Sequence, residues 1–487
     1  ARRVRLGGSQ IRTVHATGRV TCARGPDVLA RGQGPVDENL TIRAEARGTM
    51  VRMATLRREV GMVGAIGLGL GSILGTGVFV ALAIAAGEAG AWLPLAVLLG
   101  GVVATFNGLS SAQLAAVHPV AGGTYAYGRR FLSPYLGFVA GVTFLAAKSA
   151  SAATAALGVA GYVTLVLGVS ASWRIPLALI AVVVLAWLVD RGVRRSSLVN
   201  LLLVSVTLLG LATFVVVGSL AAGGVAGWTV SMPVAMPVGE TSSGAVTLHG
   251  VLFATALAFV AYTGYGRVAT MGEEVHDPRR TIPRAVVATL VVSAVTYLAV
   301  TLVAMATVGP AGLAASVEGV GAPLARVADA FLGPAWGPTA VQVVLAIAAV
   351  TAMLGVLLNL LLGLSRVVFA MARDGEAPAR FARLDATGTT PRAAVLVVAL
   401  VIAGLAATGD VRVTWRFSAV SVLLYYALAN LSALRVREGR FLPRWVSLAG
   451  LVSCLGLAVF VPLPAWVGVG ALLLVVTIVR WGVRLRR

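Results

Sequence analysis

Two features of this chain have residue types that could do chemistry. The first is Gly71-Ser72-Ile73-Leu74-Gly75-Thr76-Gly77-Val78-Phe79, which lies inside the first long apolar run. Three glycines and two hydroxyl residues in nine positions make a poor helix interior, because each glycine costs about 1 kcal/mol against alanine. In lipid, non-helical backbone is tolerated only where it is buried in protein or lines a polar cavity. The stretch therefore either packs against a neighbour or binds something. The second feature is Lys148, the single lysine among 39 basic residues. It falls inside another apolar run, about 14 residues from that run's basic end, roughly 20 Å along a helix axis at about 1.5 Å per residue. A charge at that depth costs several kcal/mol unless it is paired or hydrated.

Each feature has a plainer reading. Gly67, Gly71 and Gly75 are four apart and form a small-residue packing face. Gly77 lies off that face, and Thr76 separates it from Gly75. A phosphate-binding loop is excluded, because no Gly-Lys-Ser/Thr follows and no strand precedes. Lys148 either faces a substrate or coupling-ion cavity, or is structural and bonded to backbone carbonyls at a helix break. A desolvated lysine can release its proton, which arginine practically cannot.

The elements that position these residues follow from composition. The chain has 487 residues, 58% hydrophobic and 12% charged, against about 25% charged in soluble domains. Apolar runs of 18 or more residues read as membrane helices. Twelve spans are expected, near 60–87, 92–117, 134–167, 174–189, 198–221, 247–272, 283–308, 338–372, 392–408, 414–435, 444–462 and 465–482. Residues 1–52 hold ten arginines, four acids and no apolar run, and are expected to be a disordered or non-native leader ahead of Met53. The core is expected over 53–440, with two more helices and a short tail in 441–487.

Net charge is +21, but the arginines cluster in alternate loops. Arg57 and Arg58, Arg129 and Arg130, Arg191 to Arg195, Arg279 to Arg284, Arg373 to Arg392, Arg435 to Arg444 and Arg480 to Arg487 mark one side. The opposite loops hold only Arg174, Arg326, Arg412 and Arg416. This is the positive-inside pattern, with both termini cytoplasmic in an inner or plasma membrane. No nucleic-acid reader motif is present. Cys22 and Cys454 form no disulfide framework, and the four histidines have no metal spacing. No acid pair, His/Cys cluster or nucleophile elbow supports an enzyme, and no filter repeat or charge ring supports a channel. No cofactor is expected.

A second interruption lies at Phe259-Val260-Ala261-Tyr262-Thr263-Gly264-Tyr265-Gly266, five helices after the first. An odd offset gives the two halves opposite orientation. Glycine-interrupted spans at matching positions point to a transporter site built on inverted repeats. Half-helix N-termini suit a carboxylate, and freed carbonyls suit an ammonium group.

Gly71–Phe79 resembles the GxIIGTGIF-type signature of the amino acid–polyamine–organocation superfamily. Gly272-Glu-Glu-Val-His-Asp-Pro-Arg-Arg-Thr-Ile-Pro-Arg-Ala285, Pro119-Val-Ala-Gly-Gly-Thr-Tyr-Ala-Tyr127 and Ser365-Arg-Val-Val-Phe-Ala-Met-Ala-Arg-Asp-Gly375 resemble that family's other motifs, in order across most of 60–440. The resemblance implies an all-α membrane protein with the fold of the bacterial leucine transporter: helices 1–5 and 6–10 as inverted repeats, two helices beyond them, and helices 1 and 6 broken. It implies an amino acid permease working by alternating access. The α-carboxylate would lie on N–H groups around Gly75, Thr76 and Gly77. The α-ammonium would face carbonyls at Ile73, Val260 and Thr263, beside Gly264. Phe259 and Tyr262 are candidates for an aromatic lid, with ordinary helix packing as their alternative.

Proton-coupled relatives carry a lysine in a Gly-Val-Lys-like stretch, where this chain has Gly192-Val193-Arg194-Arg195. Arg194 can fill a cation site but is a poor proton shuttle, and it also fits a positive-inside role. Proton symport through Lys148, exchange and uniport all stay open, as does a nutrient sensor on the same fold. All eighteen acids lie in the leader, in loops or at helix ends. Without a buried carboxylate, neutral or anionic amino acids fit better than cationic ones. Asn107, Asn200, Asn359, Ser418 and Ser421 are expected to make hydrogen bonds between helices.

Overall fold

Elements of the computed structural model are described for residues 60–120, 122–191, 197–224, 227–228, 247–269, 275–318, 321–332, 340–385 and 390–485. The expectations for 1–52 and for Arg194 fall outside these residues. All regular elements among the described residues are helices, as lipid requires of a backbone that must satisfy its own hydrogen bonds.

The chain opens with α1 (Met62–Ile73), a π-helical turn (Gly77–Ala81) and α2 (Leu82–Ala89). Next come α3 (Leu93–Val117), α4 (Thr124–Phe131), α5 (Pro134–Leu167), α6 (Arg174–Asp190) and α7 (Ser197–Ala221). α8 (Leu248–Tyr262) leads through a 3-10 turn (Thr263–Tyr265) into α9 (Gly266–Ala269). Beyond it lie α10 (Pro278–Ala315), α11 (Pro323–Leu332), α12 (Ala340–Arg373), α13 (Arg392–Ala406), α14 (Val411–Arg435), α15 (Arg444–Val459) and α16 (Leu463–Leu485).

Nine helical stretches among the described residues are long and apolar enough to cross a membrane, joined by two shorter apolar helices, α13 and α15. The first stretch, Met62–Val117, turns at Gly90, whose φ of 52° suits glycine. Short polar residues start α5, α8 and α14, accepting from first-turn N–H groups. Ser133 Oγ accepts from Leu136 N at 3.1 Å, with Pro134 in the first turn of α5. Asp410 Oδ1 accepts from Arg412 N and Val413 N at 2.7 and 3.3 Å and starts α14.

α5 is the central strut. It packs on α14, α12, α4 and α6, while α1 lies against α10 and α7 and α3 lies between α10 and α8. Hydroxyls and amides join these helices where the apolar seam is thin. Asn430 Nδ2 donates to Asn107 Oδ1 at 2.6 Å, Ser418 Oγ donates to Ala147 O at 2.9 Å, and Thr154 and Thr414 meet at 2.7 Å. The expected interhelical bonding holds for Asn107 and Ser418. Ser421 bonds within its own helix, to Phe417 O. Asn200 finds no hydrogen-bond partner among the described residues, nor does Asn359 Nδ2.

Two helices were not foreseen. α4 lies in the basic loop after α3, and α11 in the loop after α10. Both are too short to span, and their amphipathic faces carry no run of 18 apolar residues to betray them.

Candidate functional site

α1 ends at Ile73, and Leu74 leaves the helix with φ −76° and ψ 87°. No helical N–H bond crosses the gap: outside regular helices, the described backbone bonds include none donated by Gly75, Thr76 or Gly77. Three consecutive N–H groups at the start of a new helical segment are a small anion-binding cradle. The Thr76 hydroxyl is buried there without a hydrogen-bond partner.

Gly71 and Gly75 act as packing residues. A methyl on Gly71 would lie 2.6 Å from Asn200 Oδ1 of α7, and one on Gly75 would lie 2.6 Å from Val356 of α12. Gly67 faces the same Asn200 at 3.6 Å. Gly77 also faces protein: a Cβ there would overlap the Tyr297 hydroxyl and lie 2.9 Å from Ala261.

The second interruption is milder than the first. α8 passes into one 3-10 turn, so the chain tightens over Thr263–Tyr265 and does not open into extended backbone. Gly264 is the contact point, since a Cβ on it would overlap the Ser72 carbonyl. The two interruptions therefore touch, backbone against backbone.

Hydrogen bonds from three other helices tie this contact. The Tyr297 hydroxyl of α10 lies 2.8 Å from Ile73 O and 3.1 Å from Ala261 O. Tyr426 of α14 donates to Thr263 O at 3.3 Å. Lys148 of α5 reaches the same residue, with Nζ 2.8 Å from Thr263 Oγ1 and 3.3 Å from Thr263 O. The Thr263 hydroxyl donates onward to Val260 O at 2.7 Å. All three carbonyls expected to face an ammonium group thus already accept from protein donors, and at Thr263 one of those donors is itself an ammonium.

Phe259 and Tyr262 are both fully buried. Phe259 stacks edge-on against Tyr426 at 5.6 Å, and Tyr262 lies against Tyr297 at 4.8 Å. The Tyr262 hydroxyl has no hydrogen-bond partner among the described residues. Ile73, Gly75, Thr76, Gly77, Val260, Thr263, Gly264 and Lys148 are thus gathered around one contact, with Phe259 and Tyr262 on the same helix as Thr263.

Sequence reasoning missed Tyr297 and Tyr426. Each sits in an apolar helix with no flanking motif; the one available signal was a hydroxyl-bearing ring deep in a span, which in lipid needs a partner. Arg267 in α9 and Arg366 in α12 were also passed over, being charges within helices rather than in loops.

A family model described as amino acid permease matches residues 64–486. An uncharacterised transporter of Mycobacterium tuberculosis (strain ATCC 25618 / H37Rv) is 40% identical over 435 residues, covering 88% of this chain and 92% of that protein. The branched-chain amino acid permease of Bacillus subtilis (strain 168) is 26% identical over 83% of this chain and 86% of its own length. Cationic amino acid transporter 7, chloroplastic, of Arabidopsis thaliana is 27% identical over 77% of this chain and 65% of its own length.

Proposed function

We propose that this chain, which belongs to the amino acid permease family and is a multi-pass membrane transporter and not an enzyme, is a secondary active transporter of amino acids that works by alternating access. The observation that carries the proposal is the meeting of the two interruptions: Gly264 lies on the Ser72 carbonyl and Gly77 on Ala261, beside three N–H groups at Gly75–Gly77 that have no backbone partner among the described residues. A zwitterion presents the complementary charges. The α-carboxylate is assigned to the Gly75, Thr76 and Gly77 cradle with the Thr76 hydroxyl. The α-ammonium is assigned to the Ile73, Val260 and Thr263 carbonyls, with Gly264 keeping the backbones close. Ile73 O accepts from Tyr297 and keeps a lone pair for the ammonium, whereas Val260 O and Thr263 O already accept from two or more described donors.

The proposed architecture is twelve spans. The nine long stretches become ten when Met62–Val117 is divided at Gly90, and α13 and α15 complete the set. Helices 1–5 and 6–10 are the inverted repeats. The arginine-rich loops, and with them both termini, lie in the cytoplasm of the inner or plasma membrane. Phe259 and Tyr262 form the aromatic wall of the site. Lys148 is the charged residue facing it, and Arg194 is a fixed charge that does not shuttle protons.

Uptake into proteoliposomes, with a panel of amino acids and with or without a pH gradient, tests the proposal. Transport that is kept in Lys148→Met but no longer responds to the gradient marks Lys148 as the proton carrier. Accumulation unchanged in that variant removes it from the coupling step, and transport indifferent to the gradient marks exchange or uniport. No accumulation of any amino acid rejects the permease reading.

A further inference from the structure

We infer that the side chain of the transported amino acid is acidic and that Lys148 selects it; the inference rests on the permease reading and adds the substrate's side-chain class. Relatives carry names for branched-chain and cationic substrates, so family membership leaves that class open. The charge balance of the site decides it.

Lys148 is 7% exposed. Its Nζ has hydrogen bonds to Thr263 Oγ1 and Thr263 O, both uncharged acceptors. An ammonium group has three donors and a full charge, so this arrangement compensates neither. A buried charge needs a counter-charge, or the desolvation cost stands uncompensated. Among the described residues none supplies one. The ion pairs between two described residues use arginine as the base, and the sequence places no aspartate or glutamate mid-span.

The position of the charge matters as much as its isolation. Nζ is held on the residue next to Gly264, and Gly264 is where the two interruptions touch. The site therefore has two anion-seeking centres around one contact: N–H groups on helix 1 and an ammonium on α5. An acidic amino acid carries two carboxylates a few bonds apart and satisfies both. A neutral side chain leaves the ammonium without a counter-charge, and a cationic one adds like-charge repulsion. A site built around one ionic partner rejects the uncharged analogue strongly, because its own buried group is then left unpaired.

The test measures uptake of each labelled amino acid by the full chain in proteoliposomes: L-glutamate, L-aspartate, L-glutamine, L-leucine and L-arginine. The expected result is that an acidic substrate is taken up at least about tenfold more efficiently than glutamine, a modest ratio for a buried charge–charge contact. Lys148→Gln should bring the glutamate-to-glutamine ratio to one or below, while Lys148→Arg should keep acid preferred. Wild-type uptake of leucine, glutamine or arginine equal to or above that of glutamate and aspartate overturns the inference and leaves the permease reading standing. An unchanged ratio in Lys148→Gln also overturns it. No uptake of any amino acid overturns both. Should Lys148→Gln fail to give a monodisperse protein, the wild-type ratio and Lys148→Arg decide between these outcomes.

Discussion

At the scale of single residues, the site depends on a few side-chain donors serving backbone carbonyls. Tyr297 is the clearest case, with one hydroxyl placed between Ile73 O and Ala261 O, on the two sides of the contact. Tyr297→Phe removes that donor and leaves buried acceptors unsatisfied, at a cost of about 1–3 kcal/mol. Thermal unfolding in detergent should show a lower midpoint for Tyr297→Phe, with the packing of the ring against Tyr262 kept. Thr263 is the second case, because its hydroxyl accepts from Lys148 and donates to Val260 O. Thr263→Val should weaken substrate binding about tenfold while Thr263→Ser keeps it; equal binding by both variants would remove the hydroxyl from the site. Lys148 and Thr76 were legible in the sequence because lipid makes polar groups conspicuous. Tyr297 and Tyr426 were not, because one ring in an apolar helix reads as packing until a partner is in place.

At the scale of elements, the two interruptions are unequal. Helix 1 breaks outright at Leu74, while helix 6 tightens into a single 3-10 turn. The spacing of glycines announced both places but not this difference, which depends on what packs outside them. Gly264 must lie on the Ser72 carbonyl, and Thr263 is held by donors from α5 and α14. Glycine periodicity also predicted the packing face correctly, since Gly71 meets α7 and Gly75 meets α12. A side chain at either position overpacks the interface, which costs about 1–3 kcal/mol or more. Gly71→Leu and Gly75→Leu should therefore lower the yield of monodisperse protein. Gly77→Leu acts at the second interruption as well, since Gly77 lies against Ala261. Its Cβ would overlap the Tyr297 hydroxyl, so binding should be lost together with some stability. Pairing it with Tyr297→Phe removes the hydroxyl overlap but not the contact with Ala261, so binding should not be restored. Most helix boundaries were legible to within a few residues, because apolar runs punctuated by arginine clusters constrain them, but α10 runs beyond the expected 283–308 at both ends, over Pro278–Ala315. The short helices α4 and α11 lack that constraint and went unseen.

At the scale of the whole molecule, charged contacts join distant parts of the chain at two places. At one, Arg416 of α14 meets Glu88 of α2 at 2.6 Å, and the Arg416 guanidinium lies over the Phe253 ring of α8. At the other, the Glu376 carboxylate pairs with Arg480 of α16, and Arg129 of α4 approaches it at 3.4 Å. The Tyr125 hydroxyl donates to Asp374 at 2.8 Å, and burial together with that carboxylate holds the phenol above its usual range. The Glu88 pair is half-exposed and is worth about 0.2–1 kcal/mol. The Glu376 pair is buried, and breaking it by Arg480→Met should cost about 3–5 kcal/mol. Thermal unfolding should then separate the two: Glu88→Gln shifts the midpoint little and Arg480→Met shifts it strongly. Solute counterflow tests alternating access most directly. Proteoliposomes preloaded with an unlabelled acidic amino acid and diluted into trace label need no ion gradient. The account predicts a transient overshoot of label above equilibrium, abolished in Gly77→Leu. Saturable binding with no overshoot would contradict it and leave a receptor on a permease fold.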